Sequence, residues 1–238
     1  MRDTVAPALR LEGVTLASGG RDLLRAIEFS LAPGTLTVLL GANGAGKSLL
    51  LKLCHGLLRP TSGRILWPSG MTHQFSLQRP VFLRRSAYAN ITHALRLAGS
   101  PRRVAGFRAK RALVRFGLKR FARHPARRLS GGEQQKLAIA RAWAAAPGVL
   151  LLDEPTASLD LKATAELERL VRSLAADGVT ILMSTHDIAQ ARRLADRVLF
   201  LMDGALVENS PASAFFRRPS STQARQFLAG DIIEGNDT

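Results

Sequence analysis

The residues best suited to chemistry in this chain form a glycine-rich run, GANGAGKS, at positions 41–48. It follows an apolar run, Leu36 to Leu40, and leads directly into Leu49 to Leu53. A glycine, four residues and Gly-Lys-Ser form a phosphate cradle when they join a strand to the start of a helix. Backbone N–H groups converge on phosphate oxygens in such a loop, and the positive end of the helix adds to the attraction. The run therefore predicts a site for a nucleoside triphosphate.

Nine consecutive residues are the expected nucleotide contacts: Gly41, Ala42, Asn43, Gly44, Ala45, Gly46, Lys47, Ser48 and Leu49. Among them, Lys47 is expected to reach the β- and γ-phosphates, and the Ser48 hydroxyl is expected to bind Mg²⁺. The alternative is a chance glycine-rich turn before an amphipathic helix, which the full match in this context disfavours.

A second stretch that can attract an anion begins at Leu129 and reads LSGGEQQ. It opens a helix predicted over Lys136 to Ala146, with Ser130 and two glycines at its start. No bulky side chain covers the amides there, so we expect this helix end to bind an anion as well.

Two carboxylates and a histidine follow predicted strands further along the chain. The continuous apolar run Val149 to Leu152 is typical of a strand buried in a parallel sheet, and it ends in Asp153 and Glu154. An acidic pair at that place is costly unless it has a function. A second buried strand, Val179 to Ser184, ends close to His186. These three side chains are therefore candidates for the chemistry.

The elements that must position these residues alternate between strand and helix. Helical patterns cover Ala163 to Ala176 and Ile188 to Leu194, and a hairpin is predicted over Val198 to Glu208. Strands alternating with helices imply right-handed crossovers and a parallel sheet. Ahead of the glycine-rich run, Leu9 to Leu31 shows short alternating runs, which predict a small antiparallel β layer.

The segment from about Pro80 to Arg128 has a different character. Glycine turns are fewer, and Tyr88 to Leu97 and Val104 to Phe116 carry the apolar spacing of helices. Arginine is frequent in this segment, and no Asp or Glu occurs between Glu28 and Glu133. The pattern predicts a mostly helical insertion with a basic surface.

Composition restricts the class of protein. An apolar content of 46% over 238 residues suffices for a buried core and excludes a disordered chain. A single cysteine, Cys54, excludes a disulfide framework. Without a long apolar run or the apolar core of a signal peptide, we expect the chain to stay in the cytosol. The formal charge of +16 attracts nucleic acid or anionic lipid, although a solvated arginine-rich face explains it equally.

The motifs, followed in order by Ser158-Leu159-Asp160 and His186, closely resemble those of the ATP-binding subunits of ABC transporters over almost the whole chain. The LSGGEQ signature is the most specific of them, because other phosphate-loop GTPases and kinases lack it. The resemblance implies an α/β P-loop NTPase fold, with a RecA-like parallel-sheet core, an N-terminal antiparallel β layer and a helical insertion subdomain. It implies one ABC ATPase domain over 1–238, with the β layer and core at about 1–78 and 147–238 and the helical signature subdomain at about 79–146.

The resemblance further implies a head-to-tail homodimer. In it, two ATP molecules are each sandwiched between the phosphate loop of one copy and the signature helix of the other. Four residues would supply the signature contacts: Ser130, Gly131, Gly132 and Glu133. Asp160 would communicate across the dimer. The implied cofactors are ATP and Mg²⁺.

Roles in hydrolysis also follow from the resemblance. Glu154 would act as general base or orient the attacking water, Asp153 would support Mg²⁺, and His186 would contact the γ-phosphate. A glutamine that contacts nucleotide and metal is expected as well, and Gln78 and Gln74 compete for that position. We prefer Gln78, because the run QRPVFL that begins there is similar to the glutamine loop of the family.

One departure from the family concerns the adenine base. The family stacks the base on an aromatic residue of the early β layer, whereas the matching position here is Ser18, and no aromatic residue occurs from Met1 to Glu28. Losing the ring removes about 1–2 kcal/mol of stacking. We therefore expect weaker affinity or looser base selectivity.

A subunit of this kind pairs with a separate transmembrane permease and, indirectly, with an extracytoplasmic substrate-binding protein, at the cytoplasmic face of the membrane. Segments at Arg84-Arg85, Phe215-Phe216 and Phe227-Leu228 are similar to ATP subunits of tungstate importers. Tungstate or a related oxyanion is thus the expected substrate, with molybdate, phosphate and amino-acid importers as alternatives. A soluble ABC ATPase acting on nucleic acid is disfavoured, because the chain has neither a second cassette nor a long coiled coil.

Overall fold

The computed structural model describes residues 6–230, which form an α/β fold with two sheets. The strands of this range are β1 (Leu9–Ser18), β2 (Arg21–Leu31), β3 (Leu36–Leu40), β4 (Ser62–Leu66), β5 (His73–Ser76), β6 (Val149–Leu152), β7 (Thr180–Thr185), β8 (Arg197–Met202) and β9 (Ala205–Pro211). Its α-helices are α1 (Lys47–His55), α2 (Ala87–Leu97), α3 (Arg102–Arg115), α4 (Gly131–Trp143), α5 (Leu161–Ala176), α6 (Ile188–Leu194), α7 (Ala212–Arg217) and α8 (Thr222–Ala229). Short 3₁₀ helices cover Lys119–Phe121 and Ala126–Arg128. The ends of the predicted domain, 1–5 and 231–238, lie outside the described residues.

The larger sheet forms the core and has the strand order β5-β6-β7-β3-β8-β9. β3 lies inside this sheet, pairs in parallel with β7 and β8, and has all five residues buried. A strand covered on both faces favours a continuous apolar run, which accounts for the sequence LTVLL. The predicted parallel-sheet core is confirmed, and β9 adds an antiparallel strand at one edge.

The smaller sheet is antiparallel, with β1 between β2 and β4. Its side chains Leu9, Leu11 and Val14 are fully buried. They share one apolar core with Leu50 and Leu53 of α1. The predicted N-terminal β layer is therefore confirmed, and it covers the helix that follows the phosphate loop.

The helical part of the chain packs through small side chains. Ala105, Ala109 and Ala112 share one face of α3 and are fully buried against the neighbouring helices. The helices predicted over 88–97 and 104–116 correspond to α2 and α3, so a helical insertion is confirmed.

The start and end of α4 differ from the predicted range of 136–146. The Ser130 side chain accepts a hydrogen bond from the Glu133 N–H, and the Glu133 carboxylate accepts one from the Ser130 N–H at 2.9 Å. This capping box starts the helix directly after Ser130, which is earlier than predicted. At the other end, Ala146 has a φ of 55° and precedes Pro147, so the helix stops before reaching it.

β5 is a strand that the sequence pattern did not predict. It lies at the edge of the core sheet and pairs with β6 alone. Most of its residues, including His73 and Gln74, are only half-buried, so the strand needs no apolar run. Its length of four residues also leaves little room for a periodic signal.

Two expectations from composition can be compared with the structure. Cys54, the single cysteine, is buried in α1, and burial raises the pKa of its thiol to about 12, so the thiol is unreactive. Across residues 6–230, no helix combines the length and the apolar character that crossing a bilayer requires.

Candidate functional site

The phosphate loop connects the end of β3 to the start of α1, as the sequence predicts. Gly46 adopts a φ of 101°, which glycine tolerates because it has no side chain. A Cβ at this position would lie 2.7 Å from Cδ2 of Leu24. No side chain caps the N-terminus of α1 in the described chain. Its first N–H groups therefore remain available to an anion.

Lys47 is nearly buried, with 5% of its side chain exposed. Its ammonium group donates hydrogen bonds to the carbonyl oxygens of Gly41 and Ala42, both at 2.8 Å. It also lies 3.3 Å from a carboxylate oxygen of Glu154. These partners hold a desolvated positive charge beside the loop, where a phosphate group can replace or join them.

Asp153 lies beneath the phosphate loop at the end of β6 and is 4% exposed. Its Oδ1 accepts hydrogen bonds from the Ser48 hydroxyl at 2.9 Å and from the Ser184 hydroxyl at 2.8 Å. The Ser184 oxygen in turn accepts the Glu154 N–H at 2.9 Å. The ends of β6 and β7 are thereby joined to the first turn of α1.

Glu154 contacts the remaining polar groups of the site through its carboxylate. Its φ is 38°, a strained conformation for a residue other than glycine. One carboxylate oxygen lies 3.2 Å from Nδ1 of His186 and 3.4 Å from Nε2 of Gln78. Backbone strain that the surroundings maintain is typical of functional sites. The carboxylate lies within contact distance of Lys47, His186 and Gln78, all three of which were predicted site residues.

These groups border one open cleft of about 590 Å³. The predicted residues that line the cleft are Asn43, Gly44, Gly46, Lys47, Ser48, Leu49, Gln78, Glu154 and His186. Three further lining residues were not predicted: Arg79, Ala157 and Ser158. The remaining loop residues, Gly41, Ala42 and Ala45, and the buried Asp153 do not line the cleft. Gly41, Ala42 and Asp153 contact the lining residues Lys47 and Ser48. A cleft of this size is ordinary for a small-molecule site.

The signature residues lie elsewhere. Ser130 and Glu133 form the capping box of α4, and neither lines the nucleotide cleft. Gly131 borders an adjoining groove of about 210 Å³, which shares Gln78, Arg79, Ala157 and Ser158 with the cleft. A Cβ at Gly132 would lie 3.0 Å from the Ala163 side chain. The structure therefore does not bring the signature to the phosphate loop of the same chain.

Three other residues from the sequence analysis have clear positions. Asp160 caps α5, with Oδ1 accepting the Ala163 N–H at 2.7 Å. Gln74 lies within β5 and pairs in register with Leu150, whereas Gln78 follows the strand and reaches the cleft. Ser18 is exposed at the end of β1.

Ser184 is a site residue that the motifs did not reveal. It is fully buried and joins Asp153 to the backbone of Glu154. Its position offered a signal, because Ser184 and Leu152 both stand near the carboxyl ends of buried strands. In a parallel sheet such ends meet at one edge.

Comparison with known proteins identifies the family. A family profile described as "ABC transporter" matches residues 24–157, which is more than half of the chain. The L-cystine transport system ATP-binding protein TcyN of Escherichia coli (strain K12) is 33% identical over 95% of this chain and 99% of its own length. The methionine import ATP-binding protein MetN 2 of Rhodococcus jostii (strain RHA1) is 34% identical over 94% of this chain and 72% of its own. Some other relatives are longer, and the chain spans 62% of their length.

A solved structure agrees with the sequence comparison. The protein cbiO1 from Clostridium perfringens, part of the ABC transporter complex cbiONQ, has a TM-score of 0.80 at 28% identity and covers 89% of this chain and 91% of its own. The predicted fold is therefore confirmed. ATP-binding subunits of these transporters are ATPases coupled to transport. The chain thus belongs to the ABC transporter family and is one of its ATP-binding, ATP-hydrolysing subunits.

Proposed function

We propose that two copies of the chain close over two ATP molecules and that hydrolysis powers import of a solute through a separate permease. The position of the signature helix is the observation that supports this most. The N-terminus of α4 does not line the nucleotide cleft of its own chain. Apart from its chain neighbours and the nearby backbone of α4, a Cβ at Gly131 would meet no atom of residues 6–230 within 4 Å. Internal packing therefore gives no reason for this glycine, whereas approach by a phosphate held in a second copy does.

Within each copy, each cleft residue has a different role in hydrolysis. Lys47 holds the β- and γ-phosphates, since its charge is already desolvated and oriented by backbone carbonyls. Glu154 orients the attacking water or accepts its proton. His186, whose Nδ1 lies 3.2 Å from that carboxylate, would contact the γ-phosphate. Ser130, Gly131 and Gly132 of the second copy would then stabilise the γ-phosphate, and Asp160 would lie near the junction.

The donor atoms beside Lys47 fit Mg²⁺. The Ser48 hydroxyl and an Asp153 carboxylate oxygen are 2.9 Å apart, and the Gln78 amide lies at the cleft. Mg²⁺ prefers hard oxygen donors and usually takes few from the protein, because phosphates and water complete its shell. We assign the metal to Ser48, Asp153 and Gln78. When bound, it would neutralise the charge that develops on the phosphates.

A groove between α2 and α3 is the proposed docking site of the permease. Its volume is about 450 Å³, and its lining combines apolar and basic side chains: Ser86, Tyr88, Lys110, Leu113, Val114, Lys119, Ala122 and Arg123. No acidic residue occurs in the sequence from 29 to 132. An amphipathic helix that carries carboxylates would complement both features. The assembled subunit would lie at the cytoplasmic face of the membrane, with a substrate-binding protein on the opposite side.

The solute does not touch this subunit, so no residue of the cleft selects it. Two solute classes are candidates. The segments around Arg84 and Phe215 favour tungstate or a related oxyanion by their similarity to tungstate importers. The relatives described above are named for transport of cystine and import of methionine, which supports an amino acid instead.

Dimer formation is tested with Glu154→Gln, which keeps the shape of the side chain and removes its charge. We expect this variant to bind ATP without hydrolysing it and to change from monomer to dimer in size-exclusion chromatography when ATP and Mg²⁺ are present. Glu12→Gln, on the surface of β1, is the matched control and should hydrolyse ATP normally. Full hydrolysis by a strict monomer, or a Glu154→Gln variant that stays monomeric at saturating ATP, would contradict the proposal.

The solute is tested by uptake in cells that lack the chain. Tungstate, molybdate, phosphate, cystine and methionine are compared after complementation with wild type or Lys47→Ala. We expect wild type alone to restore uptake of one solute class. Restoration by Lys47→Ala would show that transport does not depend on this ATPase.

A further inference from the structure

A buried amide connects the two loops that carry Glu154 and His186. Gln190 lies in α6, shortly after His186, and is 1% exposed. Its Nε2 donates a hydrogen bond to the Thr156 hydroxyl at 2.8 Å and another to Oε1 of Glu168 at 3.1 Å. Thr156 follows Glu154 closely in the loop after β6. The Gln190 side chain therefore connects that loop to α6, the helix after β7.

Glu168, the second partner of the Gln190 amide, also forms an ion pair. Arg193 of α6 donates two hydrogen bonds to the Glu168 carboxylate of α5, at 2.9 and 2.6 Å. Burial raises the pKa of Glu168, but hydrogen bonds from Arg193 and Gln190 and the Arg193 charge outweigh it and hold the pKa below its ordinary value. The carboxylate is thus ionised at neutral pH. It gives Gln190 a fixed acceptor on the side away from the cleft.

The start of α6 is itself well defined. The Asp187 carboxylate accepts the Gln190 N–H at 3.0 Å, and the Asp187 N–H donates to the Thr185 hydroxyl at 3.0 Å. These contacts lie within one loop, so they fix α6 relative to β7 only. Ser184 of β7 already accepts the Glu154 N–H, and the Gln190 side chain adds a second connection, from α6 to the loop of Glu154.

The polar atoms of Gln190 are not what a side chain needs if it serves packing alone. The Gln190 Oε1 is buried and has no hydrogen-bond partner among residues 6–230. An unpartnered buried oxygen costs free energy that an apolar side chain of similar length would avoid. A native site that carries such a cost calls for an explanation. The two bonds made by the amide nitrogen supply one.

We propose that Gln190 is a positioning residue for ATP hydrolysis. By holding Thr156, it keeps the strained Glu154 backbone in place and maintains the 3.2 Å contact between Glu154 and His186. The inference rests on the proposed roles of those two residues. Because nucleotide binding depends on the phosphate loop instead, loss of the Gln190–Thr156 bond should slow turnover without weakening ATP binding.

Two variants remove this bond from opposite ends. Gln190→Met keeps the length of the side chain and deletes the unpartnered oxygen together with the donor to both Thr156 and Glu168. Thr156→Val keeps the shape and deletes the acceptor. We expect each to lower kcat about tenfold, with the KM for ATP within about twofold of wild type. Both remove the same bond, so the double variant should lose no more than either single variant.

Controls separate this role from a structural one. Thr92→Val removes a threonine hydroxyl that bonds only to the α2 backbone and should leave kcat unchanged. Unchanged kcat in both single variants, additive losses in the double variant, or a kcat loss with an equal rise in KM and a lower Tm would overturn the inference. Glu154→Gln is measured alongside. If it retains hydrolysis, the proposed function fails; if it is inactive while Gln190→Met is normal, the positioning inference alone fails.

Discussion

The nucleotide-binding core and the helical region arrange their charges in opposite ways. In the core, Asp153, Glu154 and Glu168 each receive hydrogen bonds or ion pairs from nearby side chains of the same chain. The helical region lacks acidic residues almost entirely. Of the cations on α3, Arg115 alone has a carboxylate partner within residues 6–230. The three core carboxylates thus have partners within a single copy, whereas most cations of α3 have no carboxylate partner among residues 6–230.

The signature helix shows the same difference on a smaller scale. Gly46 in the core is needed by its own chain, because its φ and the nearby Leu24 side chain exclude a Cβ. Gly131 in the helical region has open space where its side chain would be. Because no packing within the chain fills the space at Gly131, a group from a partner can occupy it. If the proposed dimer forms, substitutions at Gly46 should affect folding of one copy and substitutions at Gly131 should affect hydrolysis by the assembly.

Paired glycine substitutions test the comparison with the largest expected effect. Gly131→Ala should not lower Tm, because a Cβ there meets no neighbouring side chain and alanine favours the helix. Its ATP turnover should fall about 100-fold, since the methyl group blocks the approach of phosphate from the second copy. Turnover and thermal denaturation are measured on the same samples.

The matched variant, Gly46→Ala, should instead show its effect in stability. Gly46→Ala should lower stability by about 1–3 kcal/mol, because alanine is strained at a φ of 101°. A Gly131→Ala variant with full turnover, or a Gly46→Ala variant with unchanged Tm, would remove the distinction between the two regions.

Charge removal gives an intermediate effect. Glu168→Gln should lower the free energy of unfolding by about 2 kcal/mol at neutral pH, less than for a fully buried pair because 52% of the Arg193 side chain is exposed. The folded-state pKa of Glu168 is lowered. Its contribution is therefore complete above the pKa of the unfolded chain and is lost as pH falls through the folded-state pKa. Denaturant unfolding from neutral to acidic pH measures this loss.

The control for that experiment lies on α3. Lys110→Gln should change stability by no more than about 0.5 kcal/mol at any pH, because Lys110 has no carboxylate partner in the described chain. An equal loss in both variants would mean that the helical region also depends on internal ion pairs.

The smallest effect concerns the adenine base. Ser18→Tyr should tighten ATP binding by about 1 kcal/mol, or about fivefold, by supplying an aromatic face at the position where the family stacks the base. Affinity for ATP and GTP is compared in wild type and variant by calorimetry. Equal affinities would indicate that another group already holds the base.

Much of the core was predictable because its signals are local. The order of β3, phosphate loop and α1 follows from an apolar run and a glycine motif that are contiguous in sequence. β5 had no such signal, since an edge strand of four residues tolerates polar side chains. The start of α4 was misplaced because the capping box of Ser130 and Glu133 outweighs the low helix propensity of two glycines.

The connections within the site were less predictable. Ser184 and Gln190 belong to no motif, and their partners are about thirty residues away in sequence. Their importance depends on which strands are adjacent in the sheet. The order β6-β7-β3 places the ends of three separate segments at one edge.

The sequence by itself determined the class of ligand, the family and the alternation of strands and helices, because short motifs and apolar runs encode these locally. The tertiary structure alone decided that Lys47, Glu154 and His186 meet in one cleft, that the buried Asp153 bonds Ser48 beside it, and that the signature helix does not line it. The physical reason is that hydrogen bonds act over about 3 Å, whereas these residues are brought to that range only when the parallel sheet has formed.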